Sequence, residues 1–210
     1  MPFSDYTELK AAIANWLDRT DLTSAIVDYI ALAEADLSRV LRVRDMLKRA
    51  TATLDDRYTD LPDNCAEIQN IQLNEVDSGR DRRLDVMSPE QLDDWRRVYA
   101  YTAGIPEKYA VIGDAIEVAP TPATGYTAEI SYYERIPVLS GSNTTNWLLT
   151  KHPDLYLFGA LMQSAPYLRD DERIPVWVGG YDRVLASIRM DEDRAVFSGS
   201  TPRARARVIA

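Results

Sequence analysis

Residues 146–177, NWLLTKHPDLYLFGALMQSAPYLRDDERIPVW, constrain the fold more than any other stretch of the chain. A helix can open at Pro153, because a proline in the first turn gives up only an amide that has no intrahelical partner. Leu155, Phe158, Leu161, Met162 and Ala165 then recur at helical spacing, while the polar Gln163 and Ser164 come late. A helix this apolar is expected to be buried on most sides, as a central spar. The charged run Arg169, Asp170, Asp171, Glu172 and Arg173 reads as a turn. A second helix follows over residues 175–194, with Trp177, Tyr181, Val184, Leu185 and Ile188 on one face. Gly179 and Gly180 interrupt it at about 1 kcal/mol each relative to alanine. Either a neighbour packs close there or the helix is broken.

The front of the chain is also helical. Asp5 and Glu8 have the spacing of a capping box, and Leu9, Ile13, Trp16 and Leu17 form one stripe over residues 5–18. A second helix is expected over residues 23–46, with Ile26, Ile30, Ala33, Leu37 and Leu41 in phase. Its acids fall early and its arginines late, which suits the helix dipole. From Arg49 the texture changes. Residues 50–54 alternate as a strand, residues 55–60 read as a turn, 68–76 as a strand and 77–83 as a polar loop. Ser88, Pro89 and Gln91 start a helix carrying Leu92, Trp95, Val98 and Tyr99. Gly113-Asp114 joins strands 108–112 and 115–119 in a hairpin whose order favours the turn with glycine first. Residues 126–134 add a strand with Ala128, Ile130 and Tyr132 on one face.

The expectation is therefore an α+β fold. An antiparallel helical bundle is built from both chain ends, with a β-rich middle region and an extended C-terminal arm. Residues 1–197 are read as one domain, helical at 1–48 and 150–197 and strand-rich at 49–149 with a helix near 88–101. Residues 198–210 are the arm.

Composition removes several classes of function. At 210 residues, 46% hydrophobic and 27% charged, the chain has the make-up of a soluble globular protein. Its longest apolar run, residues 155–162, is far short of the ~18 residues of a membrane span. The opening MPFSDYTEL has neither a basic region nor an apolar core, so no signal peptide is expected, and folding in a cytosol is. A single cysteine, Cys65, excludes an internal disulfide and a cysteine zinc cluster. Net charge is −9, and an acidic body is poorly suited to wrapping nucleic acid, which needs Lys/Arg surfaces.

Catalytic apparatus is not recognisable, and no cofactor or metal is expected. His152 is the only histidine and has no second to complete a metal site. Cys65 has no basic neighbour in sequence to lower its pKa and reads as a small buried hydrophobe. Neither a G-x-S-x-G elbow nor a phosphate-binding glycine loop occurs. The acid pairs Asp93/Asp94 and Asp170/Asp171 lie beside arginines, as helix caps and solvated pairs do. A carboxylate hydrolase built on Asp170 and Asp171 is the least favoured reading. The four tryptophans and twelve tyrosines read as core or subunit contacts.

The tail is different in kind. Arg203, Arg205 and Arg207 alternate with alanines and no acid follows Ser198. Such a tail can be a solubilising terminus, an arm that orders on a partner, or a weak nucleic-acid contact. In the second reading Val208 and Ile209 join an extended strand while the arginines pair with acids of the partner.

Several groups, taken in order and spacing, resemble the head–tail adaptor (connector) proteins of tailed bacteriophages, which include the gatekeeper or upper tail-tube ring. They are Tyr29-Ile30 with Ala33-Glu34, Leu37, Arg39, Leu41-Arg42 and Met46; Leu61-Pro62-Asp63; Gly104-x-Pro106-x-x-Tyr109; and Pro120-x-Pro122 before Tyr132-Tyr133. Asn146-Trp147-Leu148-Leu149, Pro153-Asp154-Leu155-Tyr156, and Asp170 to Arg173 with Trp177 complete the set. The resemblance implies a structural virion protein, made in the host cytoplasm. It would form a homo-oligomeric ring, typically of twelve copies, beneath the portal protein, and carry a tail or nozzle protein. DNA would pass through its lumen without specific binding, no membrane being involved, and the C-terminal segment would rise into the portal. On that reading the docking arm is Arg203, Arg205, Arg207, Val208 and Ile209. Candidate subunit or tail contacts lie in residues 84–101 and in loops around 141–146, with Trp95, Tyr99, Tyr101 and Trp147 singled out.

Overall fold

The structure, a computed structural model, describes residues 3–77, 79–99, 102–168 and 172–197. It is mixed α+β, with six helices and two sheets among the described residues. The chain divides into two compact units, one drawing on Met1–Arg44 and the chain from Ile136 onward, the other being Asp45–Arg135.

In the first unit, α1 (Tyr6–Leu17) begins at Asp5, whose carboxylate accepts the amides of Thr7 and Glu8. Glu8 reaches back one residue further than a capping box requires, to the amide and hydroxyl of Ser4. Asp18 ends the helix in the left-handed region, φ 54°, where aspartate is among the few tolerated side chains. Leu9, Ile13 and Leu17 are buried. Trp16, expected on the same stripe, is 45% exposed and sets its ring edge-on to Phe158.

Helix α2 (Thr23–Val40) stops six residues short of the expected end. Leu41 is extended (φ −86°, ψ 136°), and residues 41–44 alternate buried Leu41 and Val43 with exposed Arg42 and Arg44. That is a period of two, which continued helix could not satisfy. Arg42 closes the helix by donating to the carbonyls of Ser38 and Leu41. Only a 3-10 turn, Arg44–Met46, follows.

After the second unit the chain returns through α4 (Trp147–Lys151), α5 (Pro153–Leu168) and α6 (Ile174–Phe197). Helix α5 lies against α1, α2, α4 and α6. Its buried residues are Leu155, Tyr156, Leu157, Gly159, Ala160, Leu161 and Ser164, so it is embedded as its apolar sequence requires. Phe158, Met162 and Ala165, expected in the buried stripe, are only half-buried. On α6, Trp177, Tyr181, Val184, Leu185 and Ile188 are all buried as the periodicity predicts.

The glycine pair does not break α6. An added Cβ at Gly180 would lie 2.8 Å from the Phe158 ring, whereas at Gly179 it would meet nothing within 4 Å. Gly180→Ala should therefore lower the unfolding free energy by about 1 kcal/mol, overpacking outweighing the gain in helix propensity. Gly179→Ala should raise it by about 0.5–1 kcal/mol. Urea denaturation of the two single variants checks both signs.

The second unit holds β1 (Leu47–Leu54), β2 (Tyr58–Asp60), β3 (Cys65–Asp77), β4 (Arg80–Arg83), β5 (Asp85–Val86), α3 (Pro89–Tyr99), β6 (Lys108–Ile112), β7 (Ala115–Ala119) and β8 (Tyr126–Glu134). One sheet runs β1-β8-β3-β4 and the other β2-β7-β6-β5. Leu54, Ile71, Leu73, Ala128, Ile130 and Tyr132 from the first pack with Tyr109, Ile116 and Val118 from the second in one core. The alternate positions of the second sheet, Ala110 and Ala119, face away from that core and meet Leu92 of α3. Strands β5 and β6 are parallel, and α3 supplies the crossover such a pair needs. The hairpin at Gly113-Asp114 carries positive φ at glycine alone, as the residue order suggests.

Two sequence expectations fail in this unit. Residues 55–60 are not all turn, since Tyr58–Asp60 pairs with β7, and residues 77–83 are not all loop, since Arg80–Arg83 pairs with β3. Both are short, charged edge strands, and neither shows apolar alternation.

Candidate functional site

Helix α3 presents the candidate contact residues of the strand-rich unit. Ser88 and Gln91 form the reciprocal cap: the Gln91 amide donates to Ser88 Oγ at 3.3 Å and the Ser88 amide to Gln91 Oε1 at 3.2 Å. The helix is then held to the sheet by a buried carboxylate. Glu117 of β7 takes Arg57 Nε at 2.7 Å and Arg96 Nη2 at 3.0 Å, both on Oε1. Arg96 also donates to the Val118 carbonyl and to Thr121 Oγ1. Its Nε is buried without a hydrogen-bond partner among the described residues, and Arg57 also pairs with Asp93 at 3.7 Å.

On this base Trp95 is half-buried against the Leu92 cluster, and Tyr99 is exposed with its ring 5.7 Å from that of Trp95. Val86 and Val98 are exposed on the same β5–α3 crossover. The structure thus brings Trp95 and Tyr99 together. Trp147 belongs to the helical unit, where it opens α4 half-buried beside its N-cap Asn146. Tyr101, Asp170, Asp171 and the arm residues Arg203, Arg205, Arg207, Val208 and Ile209 lie outside the described residues.

Acidity is concentrated in the strand-rich unit. Asp45–Arg135 holds 18 Asp/Glu against 10 Lys/Arg, which accounts for nearly all of the net charge of −9. An open recess of 380 Å³ in this unit is lined by Asn64, Cys65, Asp114 and Arg135 among others. Cys65 is half-buried against the core, and burial pushes its thiol up, away from thiolate reactivity. His152 caps the end of α4 through its amide to the Leu148 carbonyl, beside a shallow recess with Asp154 and Arg183. Among the described residues no group of three His, Cys, Asp or Glu could hold a metal ion. No described helix is long and apolar enough to cross a membrane.

A second buried carboxylate, Glu34, anchors a segment of the helical unit. Its Oε1 accepts the Leu139 amide at 2.9 Å and the Tyr156 hydroxyl at 3.0 Å. Asn146 Nδ2 donates to Tyr156 Oη at 2.6 Å and to the Pro137 carbonyl at 2.7 Å, while its Oδ1 caps α4. Burial raises the Glu34 pKa, and the two donated hydrogen bonds only partly oppose it. The Tyr156 hydroxyl is pushed up by burial and then by the Glu34 charge.

Sequence alone assigns no role to either carboxylate. Glu34 stands between Ile30 and Leu37 at a core phase of α2, which is a legible signal. Glu117, between Ile116 and Val118, occupies the outward phase of a strand, and is buried with Arg57 and with Arg96 of α3 on its carboxylate.

The family model described as SU10 adaptor protein matches residues 4–206. Comparison with curated proteins returned no match. Since the matched span takes in both compact units with their caps, hairpins and buried carboxylates, the chain belongs to the SU10 adaptor protein family, in line with the phage head–tail adaptors its motifs resemble.

Proposed function

We propose that the chain is a structural virion protein that forms a head–tail adaptor ring under the portal, extends the DNA channel and carries the tail. The match over residues 4–206 is the observation that carries this reading. In it the helices of both chain ends form an antiparallel bundle, the two units act as one adaptor domain, and residues 198–210 serve as the docking arm. Copies associate head to tail with rotational closure, typically as twelve. The exposed Tyr99, Val86 and Val98 suit a contact with a neighbour or a tail protein. The acid excess of the strand-rich unit suits a channel component, because a negative wall repels the phosphate backbone and lets DNA slide. The protein then spends its binding energy on assembly and transforms no molecule.

A second reading, nucleic-acid binding through the tail, rests on its three arginines without an acid. Three charges give only weak and strongly salt-dependent attachment. Mixing the protein with portal rings and imaging the product separates the readings, since only the adaptor adds a layer to the portal.

A further inference from the structure

Residues 136–146 enter the helical unit as a strap held by few bonds. Ile136 and Leu139 are buried while Val138 between them is exposed. Ser140 and Asn143 fold the middle on itself, through the Ser140 amide to the Asn143 carbonyl and the Asn143 amide to Ser140 Oγ. Among the described residues, hydrogen bonds tie the strap to the helices at Thr144, Asn146 and Leu139. The Tyr6 amide donates to the Thr144 carbonyl at 2.8 Å, Asn146 caps α4 and joins Tyr156, and the Leu139 amide reaches Glu34. The last tie is unusual, because its acceptor is a buried carboxylate whose donors among the described residues, the Leu139 amide and the Tyr156 hydroxyl, are neutral.

We infer that residues 136–146 form a releasable strap with Glu34 as its clasp, closed most firmly when that carboxyl carries its proton and loosened when it ionises. The geometry gives the reason. Closing the strap removes Glu34 from water, and two neutral hydrogen bonds do not replace the hydration of a full charge. Opening it rehydrates the carboxylate. The titratable groups facing Glu34 are Tyr156 from α5 and Tyr6 from α1, the latter with Lys10 stacked on its ring at 4.5 Å. Both tyrosines are raised by burial and stay neutral across the acid-to-neutral range, so they do not supply the missing countercharge. The strap and α4 bring only the Leu139 amide and the Asn146 amide group to this cluster.

Glu34 holds its proton more tightly in the closed strap than in water. Closure is therefore complete below the ordinary carboxylate pKa, weakens as pH rises through the raised one, and is level above it.

Amide hydrogen exchange on the full chain, read by mass spectrometry between pH 4.5 and 8 and corrected for the intrinsic rate, tests the strap directly. In the wild type, protection of the Leu139 amide should fall severalfold as pH rises, by about tenfold for each unit by which closure raises the Glu34 pKa. Peptides from β3 and β8 should not change. Glu34→Gln keeps an accepting oxygen without the charge, and its strap protection should be flat with pH. Tyr156→Phe removes one of the two donors that favour the ionised carboxyl, and should lower protection and enlarge its fall as pH rises. A flat profile in the wild type, or the same slope in Glu34→Gln, overturns the inference. The wild-type profile alone decides if Glu34→Gln fails to fold. The readout involves no portal, so its outcome is independent of the adaptor reading.

Discussion

Replacing Glu117 with alanine is expected to lower the unfolding free energy by about 3 kcal/mol, the scale of loss when one partner of a buried ion pair is removed. Two guanidinium groups share this carboxylate, and Arg96 already has one buried nitrogen without a partner. Without Glu117, Arg57 keeps Asp93 at 3.7 Å, whereas Arg96 loses the one carboxylate it pairs with among the described residues. Arg57 can recover part of the loss, because its side chain is 38% exposed, whereas Arg96 at 17% has little access to water. Arg57→Ala should accordingly cost less than Arg96→Ala. Pairing Glu117→Leu with Arg96→Met should restore most of the stability, since apolar groups of similar volume often replace a buried ion pair without loss. Chemical denaturation of these variants checks the ranking. A loss under about 1 kcal/mol for Glu117→Ala would mean that α3 is held by Leu92 and Trp95 alone.

Removing residues 198–210 is expected to abolish docking to the portal while leaving the unfolding midpoint within experimental error. The segment carries three arginines and no acid. Three charge-assisted pairs at about 1.5 kcal/mol each correspond to about a thousandfold in affinity. Any main-chain strand addition by Val208 and Ile209 would add to that. Co-sedimentation of full-length and shortened protein with portal rings gives the comparison, and raising the salt should weaken the full-length complex as it screens the pairs. Undiminished docking of the shortened chain would show that the arm is not the attachment. Salt-sensitive DNA retention lost with the arm would favour the nucleic-acid reading instead.

What can be read from the sequence is what local chemistry decides. Asp5 with Glu8, and Ser88 with Gln91, announce helix starts because a side chain two or three residues away satisfies the first amides. Gly113 announces its hairpin because few other residues adopt its φ of 61°. The alternation of Ala128, Ile130 and Tyr132 fixes which face of β8 is inside. Features set by distant partners are not legible. Strand β2 exists because the distant β7 offers free backbone groups, and its own residues, YTD, give no sign of it. RDRR of β4 pairs locally with β3 but lacks the apolar alternation that would reveal it. The end of α2 is misplaced by periodicity because Leu41 continues the helical phase while also beginning the alternation with Val43. Likewise Trp95 and Tyr99 can be picked out as aromatic residues at helical spacing. The Glu117 cluster that seats their helix cannot, because its members lie 21 and 60 residues apart in the chain.

The proposal that copies of this chain close into a ring beneath a portal is tested most directly by electron microscopy of purified protein mixed with portal rings. A second ring-shaped layer, coaxial with the portal and present on one face only, is the predicted result. Portal rings that stay bare at saturating protein, with the full chain folded and intact, would contradict it.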